Sequence, residues 1–245
     1  MEIFAGLSVA FLLLVALAVA TKTFSLWRRT RGIPELLLGM YLMCATVLGY
    51  PLMIAAARIP PAEMWPLHLG AQVIMSAGFV SLLFFTLGVF RPGVLWARCL
   101  VGLSIAVLAV GCVGVFGELT GENPRPISEL IGLTLITTAP IAIAYFWTML
   151  ESLRYYQRLR LRLKLGLAEA AVVNRVLLWG LMCLAAGIAV VISLVGMLAG
   201  SFLDASTVLV LSGLGAMHAG CLFLAFHPPD WYRSWLGRGA PVEAS

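Results

Sequence analysis

Ile3-Phe4-Ala5-Gly6-Leu7-Ser8-Val9-Ala10-Phe11-Leu12-Leu13-Leu14-Val15-Ala16-Leu17-Ala18-Val19-Ala20 stands at the head of the chain. Broken only by Lys22, the apolar run continues to about Leu26. At a rise of about 1.5 Å per residue, some 20 apolar residues cross the ~30 Å hydrocarbon core of a bilayer. A secretory leader needs a basic start, a short apolar stretch and a small-residue cleavage site. Here the start, Met1-Glu2, is acidic and the run is too long, so the sequence predicts a retained first spanning helix.

The same pattern recurs along all 245 residues. Apolar stretches cover approximately 3–26, 33–57, 65–89, 94–117, 128–150, 174–199 and 204–226. The composition agrees: 62% of residues are hydrophobic and 11% charged, and mean hydropathy is +1.02. Soluble domains carry about 25% charge. A water-soluble core of this size cannot hide so much apolar surface, whereas lipid can surround it.

Between the stretches lie helix-breaking signals. Gly32-Ile33-Pro34-Glu35 opens the second, with proline near the first turn and a carboxylate at the positive helix end. Ile59-Pro60-Pro61, Arg91-Pro92-Gly93 and Gly121-Glu122-Asn123-Pro124-Arg125-Pro126 are breaks, and Asp204 is placed to cap the seventh helix. The expected fold is all-α: a polytopic, seven-transmembrane-helix bundle over 1–227, followed by an interfacial helix and cytoplasmic tail over 228–245. In that tail two prolines, Pro228 and Pro229, end the last span. Trp231 and Trp235, four residues apart, then share one face of a short helix at headgroup level.

Charge fixes the expected orientation. Of the 16 lysines and arginines, only Arg58 and Arg125 fall outside the odd-numbered loops and the tail. By the positive-inside rule those loops and the C-terminus are cytoplasmic and the N-terminus is outside. The net charge of +5 and pI near 9.2 are thereby explained without nucleic-acid binding. Loop five holds the densest set: Arg154, Arg158, Arg160, Arg162 and Lys164. Arg154, Arg158 and Arg162 share a face of a helix continuing from span five, although Arg160-Leu161-Arg162-Leu163-Lys164-Leu165 also alternates like a strand. The expected role is either topology with contact to anionic lipid or docking of a cytoplasmic protein partner.

Polar groups deep in a bilayer are functional candidates. No Asp, Glu, Lys or Arg lies in the middle third of any span, which argues against ion-coupled transport through buried carboxylates. His68, Gln72 and Ser76 are spaced by four in span three and, with Met75 and Phe79, are candidates to line an outward-facing ligand pocket. His218 is the ionisable group nearest the membrane interior. By rise alone His68 lies about 5 Å and His218 about 21 Å below the outer surface, so the two do not share an ion. With three histidines in all, no metal site and no cofactor are expected, and the absence of a lysine in the last span argues against a retinal Schiff base. The five cysteines, Cys44, Cys99, Cys112, Cys183 and Cys221, read as small buried hydrophobes. Thr137-Thr138-Ala139-Pro140 predicts a kink whose freed carbonyls the threonines help satisfy. Gly196 to Gly200 forms a G-x-x-x-G, expected to pack helices closely. Glu35, Glu151, Glu169 and Arg175 are expected near one another at the cytoplasmic edge. No catalytic motif is present, and no enzymatic activity is expected.

Several stretches form a familiar set: Pro34-Glu35-Leu36-Leu37-Leu38-Gly39, Gly49-Tyr50-Pro51-Leu52, Gly166 to Arg175 with Leu178-Trp179-Gly180, and Pro228-Pro229. They resemble a group of bacterial seven-helix membrane proteins, and the resemblance implies a bacterial inner membrane and no particular substrate. Three functions remain open at this point. One is a heptahelical sensor or receptor-like protein that binds a ligand from outside and acts through a cytoplasmic partner. The second is a small-molecule transporter with a 3+1+3 helix organisation, and the third an accessory subunit of a membrane complex.

Overall fold

A computed structural model describes residues 2–56, 59, 61–121, 130–201 and 204–237. Arg58, Arg125 and Arg238, the loop glutamates Glu122 and Glu129, and the tail 238–245 lie outside the described residues. The described chain is all-helical: α1 (Glu2–Thr30), α2 (Ile33–Tyr41), a π-helical segment (Leu42–Gly49), α3 (Tyr50–Ala56), α4 (Pro61–Phe90), α5 (Leu95–Thr120), α6 (Ile131–Lys164), α7 (Ala170–Leu198), α8 (Ala205–Phe226) and α9 (Asp230–Gly237). Helix α2, the π segment and α3 form one continuous span. Seven helical stretches among the described residues are long and apolar enough to cross a membrane. The protein is therefore an integral membrane protein of seven spans, and α9 is a short C-terminal appendage.

The spans close into a ring. Helix α1 packs between α2 and α8, α2 and the π segment pack on α4, α4 on α6, α6 on α7, and α7 on α8. Helix α5, the fourth span, rests on α4 and α6 outside the ring, and turns Leu103, Val110 and Val113 outward, each more than half exposed. In water such a face would aggregate; in a bilayer it is the solvated one.

Interhelical hydrogen bonds pin the ring where apolar packing alone has little drive in lipid. The Ser8 hydroxyl donates to the Ser212 carbonyl over 2.6 Å, and Lys22 Nζ donates to the Phe226 carbonyl over 2.6 Å, tying both ends of α1 to α8. Thr86 and Thr148 meet at 2.7 Å between α4 and α6. Each also lies within bonding distance of a carbonyl of its own helix, Leu82 at 2.9 Å and Ala144 at 2.7 Å. A hydroxyl has one proton, so one threonine bonds its own backbone while the other donates across.

One end of the ring carries the described basic residues outside the spans and is here the basic end; the opposite one is the far end. Helix α6 runs unbroken to Lys164, so helix and not strand carries loop five. It stops in a Schellman turn: Leu167 N–H donates to Arg162 O and Gly166 N–H to Leu163 O, with Gly166 at φ +67°. The end of α7 repeats this, with Ser201 N–H on Gly196 O, Gly200 N–H on Met197 O and Gly200 at φ +68°. The expected G-x-x-x-G is thus corrected in part: Gly196 is buried in packing, but Gly200 serves to terminate the helix. Asp204 occupies the N-cap position of α8 without a side-chain cap bond.

Candidate ligand cavity

Pro51 has no N–H to offer the Val47 carbonyl and crowds it in an α-helix. The chain answers immediately upstream with the π segment, closed by Tyr50 N–H on Ala45 O. Such wide turns interrupt helix packing and often sit at functional sites. Here α4 accommodates the bulge with a glycine. A Cβ on Gly78 would stand 2.5 Å from the Ala45 nitrogen, and one on Gly49 would stand 3.0 Å from Met75 Cβ.

The π segment borders a cavity of about 350 Å³ inside the ring. Its wall takes residues from every span except the fourth, among them Leu12, Thr46, Met75, Ile141, Val190 and Leu214. Toward the basic end the lining stops at Phe79, Tyr145, Ala186 and His218; toward the far end it reaches Met197, the penultimate residue of α7. Aromatic rings close the basic side. Phe79 and Tyr145 meet edge to face at 5.3 Å, Tyr41 touches both, and Phe85, Trp179 and Phe226 form a second layer.

The walls are mainly aliphatic, and polar groups gather at the closed end. Tyr41 Oη donates to Tyr145 Oη over 3.1 Å, which leaves the Tyr145 proton free to donate. His218, 5% exposed, has no protein partner for Nε2, while its imidazole lies against the Met182 backbone. Buried polar atoms are normally hydrogen-bonded; five other buried side-chain atoms among the described residues, Trp147 and Trp179 Nε1 included, share this lack of a partner, and His218 is the one of them that lines the cavity. Thr46, Tyr50, Thr138 and Ser193 add hydroxyls higher on the wall. A donor and an unsatisfied imidazole nitrogen under an apolar shaft suit a small, mostly apolar molecule with one polar end.

Of the four ligand-site residues read from the sequence, His218 lines this cavity, as do the accompanying Met75 and Phe79. His68 and Gln72 are buried on α4 but lie outside the lining. Gly49 faces Met75 and Ala45 faces Gly78, and this antiparallel register carries α3 up to the level of Gln72 and His68. Ser76 turns to α5, its Oγ 3.7 Å from Cys112 Sγ. Sequence reasoning missed Thr46, Tyr50 and Tyr145; Pro51 was the one local signal.

At the basic end, Arg154, Arg158, Arg160, Arg162 and Lys164 are exposed on the α6 extension. Trp231 and Trp235 are exposed on α9, whereas Tyr232 between them is buried against Leu178 and Ala225. The expected carboxylate cluster does not form as one group. Glu151 pairs with Arg91 at 2.9 Å and Arg154 at 3.3 Å, and Arg175 Nε instead donates to the Ala225 carbonyl. The Thr137 hydroxyl lies within bonding distance of Leu133 O and Thr134 O, not the Ile136 carbonyl that Pro140 frees. All five cysteines are free; the expected burial holds for Cys183, whereas Cys44, Cys112 and Cys221 are half-buried and Cys99 is exposed.

Among the described residues no set of three His, Cys, Asp or Glu stands together as metal ligands. No family model, curated protein or solved structure matches this chain.

Proposed function

We propose that this protein is a heptahelical sensor that takes a small, mostly apolar ligand into the ring cavity from the outer side of a bacterial inner membrane. The observation that carries the reading is a cavity whose lining runs from Met197, near the far end, to Tyr145 and His218, with the rings of Tyr41, Phe79 and Tyr145 packed together on its basic side. The positive-inside bias makes the basic end cytoplasmic and places the N-terminus outside. A ligand seated between the π segment, α6, α7 and α8 changes how those elements pack. Helix α6 carries that change without interruption to Arg154–Lys164, where a cytoplasmic protein partner reads it. The chain acts by binding, not by catalysis.

The test is chemical. Full-length protein purified into nanodiscs is extracted, and the extract is compared by mass spectrometry with that of Ala189→Phe, which fills the cavity. The expected result is a small molecule present with the native chain and lost from the variant, with both equally folded. Identical extracts would remove the basis for the reading.

Transport in a 3+1+3 arrangement has one observation on its side, the fourth span standing outside the ring. It requires the floor to open, so substitution of Tyr41 and Tyr145 together by alanine should then raise flux through proteoliposomes, whereas a sensor remains sealed.

A further inference from the structure

Where α8 ends, the basic end of the bundle holds a second concavity, of about 380 Å³, between α1, α7, α8 and α9. Three cations line it from three different helices, Lys22, Arg175 and Arg233, together with Asn174 and Tyr232, and among the described residues no carboxylate does. Glu169 and Asp230 stand nearby but outside the lining. Asp230 is fully exposed and 3.8 Å from Arg233.

Two of the cations are held in place by backbone. Lys22 Nζ donates to the Phe226 carbonyl and Arg175 Nε to the Ala225 carbonyl, so the last carbonyls of α8 orient both heads. Each bond uses one donor: the lysine keeps two N–H groups and the guanidinium four. Asn174 Nδ2 donates to Tyr232 Oη over 2.7 Å, leaving the tyrosine proton free. Ala170 and Ala171 bring the start of α7 to the same wall. Glu169 at its N-cap makes no side-chain cap bond, so backbone N–H groups there are unclaimed by their own helix. Several donors and about three positive charges thus converge on one space. A phosphate, with tetrahedral oxygens and at least one negative charge, satisfies such an array better than a planar carboxylate.

The rest of the concavity says where the phosphate comes from. Leu224, Phe226, Pro228 and Leu236 supply an apolar side, at the level where the last span ends and beside the exposed tryptophans of α9. This is headgroup depth, and the volume exceeds that of an inorganic ion. We infer that the concavity between Lys22, Arg175 and Arg233 binds the phosphate of an anionic phospholipid headgroup, seating α9 against the bundle. This site is separate from the ring cavity and from the exposed arginines of α6, and stands independently of the sensor reading.

The experiment is native mass spectrometry of the full chain in detergent, offered phosphatidylglycerol, phosphatidylcholine or inorganic phosphate in turn. Retained phosphatidylglycerol adducts should exceed phosphatidylcholine adducts. Arg233→Gln, on an exposed side chain, should weaken phosphatidylglycerol by about fivefold, the share of one cation near a surface. Ala171→Glu, at an exposed position in the first turn where a carboxylate suits the helix, should weaken it by at least as much. Arg98→Gln, on an exposed side chain of α5 away from the concavity, should leave it unchanged. If inorganic phosphate alone is retained and is lost in the same two variants, the site holds with free phosphate as its source. Equal retention of the two lipids, indifferent to Arg233→Gln and Ala171→Glu, overturns the site, as does a loss of binding in Arg98→Gln as large as in Arg233→Gln.

Discussion

Arg91 Nε donates to Glu151 Oε1 over 2.9 Å, joining the turn that follows α4 to a carboxylate only 4% exposed on α6. Arg154, more than half exposed, reaches the same oxygen at 3.3 Å. The two arginines are not equivalent. Arg91 is the less exposed, and its guanidinium also lies 5.9 Å from the Trp96 ring, so it neutralises Glu151 where water reaches least. Removing it leaves a buried charge short of a partner, which costs about 2–3 kcal/mol. Removing Arg154 costs less than about 1 kcal/mol, as for exposed ion pairs. Thermal unfolding of Arg91→Met and Arg154→Met in one detergent measures the difference. Equal shifts would show that Glu151 does not distinguish the two.

Close packing at the π segment makes a sharper prediction about glycines. A methyl group on Gly78 meets backbone, the Ala45 nitrogen at 2.5 Å, whereas one on Gly88, nearly three turns along the same helix, meets nothing within 4 Å. Gly78→Ala should destabilise the protein by about 1–3 kcal/mol through overpacking. Gly88→Ala should be neutral or stabilise by up to about 1 kcal/mol, because alanine loses less entropy in a helix. Parallel melts of the two variants decide it, and a tolerated Gly78→Ala would mean that the wide turn is not held against α4.

Orientation is open to direct chemistry. Gln157 is exposed on the α6 extension, and Cys99 is the exposed member of the five native cysteines. In a Cys99→Ser background, Gln157→Cys should react with a membrane-impermeant maleimide in inverted vesicles and remain unlabelled in intact cells. The reverse result would invert the bundle and place the Met197 end of the ring cavity on the cytoplasmic side.

The seven spans were legible because hydrophobic length and helix breakers report the bilayer directly. Pro34, Pro92-Gly93 and the glycine after α6 all fall at helix ends as their local chemistry requires. Legibility ended where tertiary register decides. The i, i+4 spacing of His68, Gln72 and Ser76 placed them on one side of α4 but could not say that the first two would be buried outside the cavity lining and the third would turn to Cys112 on α5. Gly200 fitted a packing motif as well as it fitted a helix terminus, and only the backbone bonds to Gly196 and Met197 separate the two. The π segment had a cause in Pro51, yet a proline in a span predicts a disturbance without its form. The Tyr41–Tyr145 floor pairs residues 104 positions apart, beyond anything periodicity reports.

His227 offers a titration at the basic end. It follows the last residue of α8, stacks on Phe223 at 6.2 Å, and has its proton affinity lowered first by burial and then by the Lys22 ammonium beside it. Both causes disfavour the imidazolium, so the folded-state pKa lies below the ordinary value near 6.5. As pH falls below that value the unfolded chain takes up the proton before the folded one does, and stability declines through this window until the folded-state pKa is passed. Histidine side-chain NMR of the protein in nanodiscs should show His227 titrating at lower pH than a free imidazole. Lys22→Gln removes the second cause and leaves the first, so the midpoint should rise part of the way back. A midpoint indifferent to Lys22→Gln would show that the ammonium, bonded to the Phe226 carbonyl, is screened from the ring, and that burial alone sets the titration.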